Sequence, residues 1–228
     1  MLPNAGPESL DPRVPRHGDV RDVRWRLIDL ARCGAGQLLV VATTSSSLPI
    51  RATRSIFLEG DRLEVRTRLE NTGGLVVPYL LGQHITFGPR LLDDELQIDL
   101  PSPSGRGREV SRIVPPDRRM LFAPSGDGRA ELRTTSRRVI VEWDVVTYPA
   151  MWLWVEDPGP TAAHDGPRAI AVEPQSALTP SLDGALAAGE APWLRPGTPL
   201  ETWVSLTLLP RRRKAPGPST NAGVTTRS

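Results

Sequence analysis

The sequence has one cysteine, Cys33, among its 228 residues, so it cannot contain an internal disulfide framework. A single cysteine agrees with the reducing cytoplasm. No apolar run approaches the roughly 18 residues that cross a bilayer. The N-terminus also lacks the basic and then apolar regions of a signal peptide. We therefore expect a soluble, cytoplasmic protein with no membrane partner.

A strong excess of charge of one sign is also missing, since 28 basic residues stand against 26 acidic ones. Residues 211–228 hold five of the basic residues and no acid, which leaves 23 basic against 26 acidic residues in positions 1–210. A protein that binds nucleic acid needs a basic face spread over its fold, so we expect no such partner. The composition predicts one domain over residues 1–210, followed by a disordered basic tail over 211–228.

Helical periodicity is nearly absent too, apart from one short helical turn predicted over residues 181–188. The 24 prolines and 20 glycines are scattered, which favours short strands joined by turns. Alternating polar and apolar residues predict strands at 23–30, 37–43, 51–58, 62–70, 79–87, 96–100, 109–114, 130–134, 138–145, 151–155, 168–172 and 200–208. The sequence therefore predicts an all-β fold, a large antiparallel β-sandwich.

Two of these segments carry residues suited to proton transfer. Residues 69–88 lead through a polar turn into a strand with His84, whose face also holds Gly82 and Thr86 and should leave room for a ligand. Residues 168–175 place Glu173 on one face with two alanines, and Pro174 restricts its backbone to an extended form. A histidine and a carboxylate on separate strands can protonate one oxygen while deprotonating another.

Five segments, in order, resemble the aldose 1-epimerase, or galactose mutarotase, family. They are a His-Gly pair before a tryptophan-containing strand, the asparagine turn leading to His84, a strand pair, the glutamate strand and a closing strand, at 15–25, 69–88, 141–154, 171–175 and 194–206. The resemblance implies a galactose mutarotase-like supersandwich. Because only residues 1–16 precede the first histidine, it also implies that the fold is shortened at its N-terminus.

The resemblance further implies roles for three residues. Glu173 would be the general base, His84 the general acid and His17 the companion that orients the sugar. The reaction would interconvert the α and β anomers of a hexose, a small-molecule partner, through its open-chain aldehyde. It needs no metal and no cofactor.

Three weaker candidates are expected to bind the sugar. Alternation places Asp144 where its carboxylate could accept a hydrogen bond from a hydroxyl. Trp152 and Trp154 share one face of their strand and could offer an aromatic platform to a pyranose ring. His164, in a polar loop, is interpreted as a surface residue.

Three other functions stay open at this point. A sugar-binding protein of the same superfamily would keep the site without turnover. An accessory β-sandwich would not bring His17, His84 and Glu173 together. A phosphosugar epimerase would need arginines around the site.

Overall fold

The computed structural model describes residues 1–4, 14–89, 91–92, 96–114, 116–158 and 168–210. These residues form fifteen strands and one helix. The strands are β1 Arg26–Cys33, β2 Gly36–Thr44, β3 Ile50–Glu59, β4 Arg62–Asn71, β5 Val77–Pro78, β6 Ile85–Phe87, β7 Gln97–Pro101, β8 Arg108–Arg112, β9 Asp117–Pro124, β10 Arg129–Arg133, β11 Arg137–Trp143, β12 Ala150–Asp157, β13 Ala169–Gln175, β14 Trp193–Leu194 and β15 Leu200–Pro210, and the helix is α1 Leu182–Ala187.

Nine strands form one large antiparallel sheet in the order β1-β2-β3-β4-β15-β11-β10-β7-β8. Strand β4 shows why the sequence folds this way, since Leu63, Val65 and Leu69 alternate with charged residues. Its apolar residues face inward, and Leu69 is fully buried. The charged residues lie on the opposite face, where Arg68 donates a hydrogen bond to Glu201 of the neighbouring strand at 2.6 Å. This sheet supplies one wall of the sandwich.

A second sheet, in the order β6-β13-β12-β9, supplies the other wall. Its inward residues, such as Leu153 and Val172, are fully buried against residues of the large sheet, such as Leu132 and Val141. Burial of this kind stabilises the fold by about 25 cal/mol for each Å² of apolar surface removed from water. The residues that alternate with them, including Glu173, point to the outward face of the four-stranded sheet.

Helix α1 and the first residues of the chain cover one end of that outward face. Ser181 caps the helix by accepting a hydrogen bond from the backbone N–H of Gly184 at 3.1 Å. A second apolar cluster joins the helix to the sheet, with the members Val14, Leu80, Trp152, Ala177, Leu182, Ala185 and Ala191. Residues 1–4 run beside residues 80–82, where Gly82 donates its N–H to the carbonyl of Met1 at 2.9 Å.

Most predicted strands are confirmed, with shifts at their ends. Strand β1 begins at Arg26 instead of residue 23, and the predicted strand 79–87 is broken. Only an isolated bridge at Gly82 and β6 lie within it, because loop contacts satisfy the backbone of the residues before β6. Strand β9 was not predicted because apolar residues 120–123 occupy both of its faces and hide the alternation.

The predicted helical turn is confirmed as α1. The predicted tail over 211–228 and His164 lie outside the described residues. Within the part of the chain that the structure describes, no helix is long and apolar enough to cross a membrane.

Candidate active site

The register of β13 places His84 across from Glu173. Gly82 forms an antiparallel bridge with Gln175, and Thr86 pairs with Ala171. His84 lies midway between Gly82 and Thr86, and Glu173 lies midway between their partners. The Nε2 atom of His84 is 3.2 Å from Oε1 of Glu173. This contact brings together two of the three residues, His84 and Glu173, that an accessory β-sandwich would not bring together.

Glu173 is a buried carboxyl group beside the imidazole of His84, and the amino group of Met1 acts on it electrostatically. It is 3% exposed, and Gln175 donates its amide N–H to Oε2 at 3.3 Å. Burial raises the pKa of Glu173 to about 7, and the hydrogen bond from Gln175 opposes part of that rise. A carboxyl group with a pKa near neutral can both accept and release a proton under physiological conditions.

His84 is held on its other side by Thr86. The Nδ1 atom of His84 is 2.8 Å from the hydroxyl oxygen of Thr86, which leaves Nε2 directed at Glu173. The ring of Trp154 lies nearby, with its centroid 5.8 Å from that of the imidazole. Burial lowers the pKa of His84, and repulsion from the amino group of Met1 and from His17 lowers it further. Burial thus disfavours charge on both members of the pair.

His17 lies close enough to act electrostatically on His84. It occupies a tight turn with φ of 62°, and Arg16 donates a hydrogen bond to its Nε2 at 3.2 Å. Asp19 anchors this turn, since its Oδ2 accepts hydrogen bonds from three consecutive serines, Ser45, Ser46 and Ser47. The fold therefore brings His84 and Glu173 into contact and places His17 within electrostatic range of His84.

The prediction that Gly82 leaves room for a ligand is wrong. The side-chain amide of Gln175 fills that space, and a Cβ at residue 82 would overlap it. On the other side of His84, Thr86 is exposed, whereas its partner Ala171 is fully buried.

The three predicted sugar contacts have different surroundings. Trp152 is 2% exposed in the second apolar cluster, which contradicts its predicted role in a platform. Trp154 is half-buried beside His84 and stays a candidate. The carboxylate of Asp144 accepts hydrogen bonds from the N–H of Val146 and from the hydroxyls of Thr147 and Thr202. These contacts support a structural role, and sugar binding by Asp144 stays a prediction.

A polar network beneath His84 was not found from the sequence. Gln83 points away from His84, as alternation predicts, and donates to the hydroxyl of Tyr148 at 2.8 Å. Its amide oxygen accepts a hydrogen bond from Arg54 at 3.1 Å, and the guanidinium of Arg54 lies 5.3 Å from the centre of the Trp25 ring. No local pattern marks Arg54, because its partners come from distant segments.

No protein-family model matches the sequence, and no curated protein matches it either. Solved structures do match. They include the Slr1438 protein of Synechocystis sp. PCC 6803 (TM-score 0.68, 18% identity, 91% of this chain and 76% of that one). A candidate aldose 1-epimerase of Escherichia coli K12 has a TM-score of 0.61 and 19% identity over 90% of this chain and 75% of its own.

A galactose mutarotase-like protein of Clostridium acetobutylicum has a TM-score of 0.67 and 13% identity, over 91% of this chain and 73% of its own. This chain thus spans about three quarters of the length of each of these proteins. At such identities the likeness concerns the fold. This chain has the β-sandwich fold of the aldose 1-epimerase and galactose mutarotase-like proteins.

Proposed function

We propose that this protein is an aldose 1-epimerase-like enzyme that interconverts the α and β anomers of a hexose. The observation that carries the proposal is the 3.2 Å contact between Nε2 of His84 and Oε1 of Glu173, at a carboxyl group whose pKa burial raises to about 7. The likeness in fold to a candidate aldose 1-epimerase supports the same reaction class. The exposed thiol of Cys33 suits a reducing compartment, the cytoplasm.

The chemistry requires two proton transfers at one carbon. When the single proton of the pair lies on Nε2 of His84, Glu173 removes the proton of the anomeric hydroxyl while His84 protonates the ring oxygen. The ring opens to the aldehyde, and the pair again holds one proton, now on Glu173. The C1–C2 bond then rotates, and reclosure on the other face reverses both transfers. The anomeric and ring oxygens share a single carbon, so an acid and a base that nearly touch are suitably spaced to reach both.

The shared proton also suits a reaction that runs equally well in both directions. Burial disfavours a charge on each group, so the pair holds one proton near neutral pH. Each member must act as an acid in one half of the cycle and as a base in the other. His17, beside His84, would hydrogen-bond the sugar near its ring oxygen and orient it.

The test follows the optical rotation of freshly dissolved α-D-glucose and α-D-galactose. We expect catalysis by the wild type, and a rate about 10²–10⁴-fold lower for Glu173→Gln and for His84→Gln. The control is Glu59→Gln, which changes an exposed glutamate at the end of β3 and should leave the rate unchanged.

The same measurement separates the enzyme from a sugar-binding protein without turnover. A wild type no faster than Glu173→Gln, together with calorimetric binding of the sugar, would favour the binding protein. A wild type with neither turnover nor binding would reject both functions.

A further inference from the structure

The two ring nitrogens of His84 have different partners. Thr86 lies in β6 and His84 directly precedes that strand, so the two side chains, two positions apart, point to the same face. The hydroxyl oxygen of Thr86 is 2.8 Å from Nδ1 of His84, while Nε2 of the same ring is 3.2 Å from Oε1 of Glu173. One nitrogen therefore meets a hydroxyl group and the other meets the proposed base.

The proton count of the proposed reaction decides how Thr86 has to bond. A neutral imidazole carries one N–H, on either Nδ1 or Nε2. After His84 has protonated the ring oxygen of the sugar, Nε2 is bare, so the remaining proton has to be on Nδ1. The hydroxyl oxygen of Thr86 has two lone pairs and can accept a hydrogen bond from that N–H. The reaction thus uses the tautomer that Thr86 can stabilise.

The other neighbours of the His84 ring are compatible with this tautomer. The ring of Trp154 packs beside it, tilted by 53°, with the centroids 5.8 Å apart. The titratable groups that act on the ring are Glu173, the amino group of Met1 and His17. A hydrogen bond to the backbone of His84 itself opposes part of the lowering of its pKa. Because Nδ1 is the ring nitrogen nearer to the main chain, that bond also favours a proton on Nδ1.

The backbone of Thr86 is fixed, which gives its hydroxyl group a defined direction. Thr86 pairs with Ala171 of β13, and both of its neighbours in β6 are paired with β13 as well. Its side chain is β-branched, so rotation about χ1 is restricted. We propose that Thr86 is a positioning residue that keeps a proton on Nδ1 of His84, so that Nε2 alone exchanges protons with Glu173 and the sugar. This inference rests on the proposed function of the pair.

The first measurement detects the tautomer and needs no turnover. The chain has three histidines, so protein labelled with nitrogen-15 at histidine gives few ring signals in NMR spectra, and His84→Gln identifies those of His84. We expect Nδ1 of His84 to be protonated in the wild type near neutral pH. Thr86→Val keeps the β-branched shape without the hydroxyl, and its Nδ1 signal should shift toward that of a bare nitrogen. Thr86→Ser should restore the wild-type signal.

The second measurement is the rate of glucose mutarotation. Thr86→Val should lower kcat about three- to tenfold, which is the size of one neutral hydrogen bond. It should leave KM unchanged, because Thr86 acts through His84. Thr86→Ser should keep the wild-type rate. The matched control is Thr44→Val, the same substitution at an exposed threonine that ends β2, and it should change neither kcat nor the Nδ1 signal.

An unprotonated Nδ1 in the wild type would overturn the inference, and so would the same Nδ1 signal in Thr86→Val and the wild type. A shifted signal with an unchanged kcat would overturn the positioning role. If the wild type turns over no sugar, the proposed function fails, and the Nδ1 signals alone decide whether Thr86 sets the tautomer. A shift in Thr86→Val then supports that assignment, and no shift rejects it.

Discussion

Each of the two sheets buries one glutamate, and the two carboxyl groups behave in opposite ways. Glu131 of the nine-stranded sheet is 2% exposed and Glu173 of the four-stranded sheet is 3% exposed. Three arginines, Arg129, Arg133 and Arg138, donate hydrogen bonds to Glu131 and hold its pKa down to about 2 against its burial. Among the residues that the structure describes, no arginine pairs with Glu173; burial raises its pKa to about 7, although Gln175 and the amino group of Met1 oppose the rise.

The difference separates a structural carboxylate from a reactive one. Glu131 is an anion at neutral pH, and its partners join β10 to β11 on the large sheet. Glu173 lies where the fold supplies an imidazole and an amide instead of arginines, so its charge depends on pH. Equal burial therefore leads to opposite chemistry because the partners differ.

The largest expected difference is in turnover. Glu173→Gln removes the proposed base, and we expect the rate of glucose mutarotation to fall about 10²–10⁴-fold. Glu131→Gln changes a group far from the pair along the fold, and we expect the rate per folded molecule to be retained. Polarimetry with both variants, corrected for folded fraction by circular dichroism, makes the comparison. Equal losses in the two variants would remove the functional distinction.

The free energy of unfolding at neutral pH should be affected in the reverse order, because here Glu131→Gln should cause the larger loss. Glutamine at 131 leaves three arginines without their anion, so we expect a loss of about 2 kcal/mol in the free energy of unfolding at neutral pH. The pKa of Glu131 lies below its ordinary value of 4.5, so its contribution is present above pH 4.5 and is lost as the pH falls toward 2. The variant and the wild type should therefore converge in acid.

The stability that Glu173 contributes depends on pH in the opposite direction. Its pKa lies above the ordinary value of 4.5, so the stability it contributes is present below pH 4.5 and is lost as the pH rises through about 7. We therefore expect Glu173→Gln to be more stable than the wild type at pH 8, by about 1–3 kcal/mol, and similar to it at pH 4.5. Urea unfolding of both proteins, in acid and at alkaline pH, measures the difference between their free energies of unfolding. A loss of stability at pH 8 would mean that an unseen partner holds the carboxylate.

The contrast between the two glutamates could be predicted from the sequence only in part. Alternation revealed β4 and its neighbours because one face of each is polar, and it placed Glu173 on a face with two alanines. The resemblance of five segments to a known family then singled out His84 and Glu173. Both predictions concern the local sequence or its order along the chain.

The remaining features depend on the pairing of distant strands. The position of His84 opposite Glu173 follows from a register between residues about ninety positions apart. Strand β9, with Phe122, carries apolar residues on both faces and gave no alternation. The burial of Trp152 depends on packing by α1, which the strand pattern does not encode. Long-range register and packing are the parts that one sequence does not determine by inspection.

The shared proton of the pair predicts how the rate depends on pH. The wild type should lose activity above about pH 7, where the pair gives up its proton, and also in acid, where the lowered pKa of His84 is passed and both groups are protonated. In His84→Gln, the residual rate should instead rise through the pKa of Glu173, because only a carboxylate base is left. Profiles of kcat/KM from pH 4.5 to 9 show the reversal. If kcat/KM of His84→Gln still falls at alkaline pH, a group other than this pair causes the fall.

The smallest expected effect concerns the side-chain amide of Gln175, which donates a hydrogen bond to the carboxyl group of Glu173. Gln175 donates to Oε2 of Glu173 and opposes the rise of its pKa, so Gln175→Leu should raise that pKa further and move the alkaline limb to higher pH. We expect kcat to fall about fivefold, which corresponds to about 1 kcal/mol for the hydrogen bond that is lost. Gly82→Ala should act in the same direction, because its Cβ would displace the amide. Gly74→Ala is the matched control, since a Cβ there meets no atom within 4 Å. A pH profile shifted equally by both glycine substitutions would show that the amide does not tune the carboxyl group.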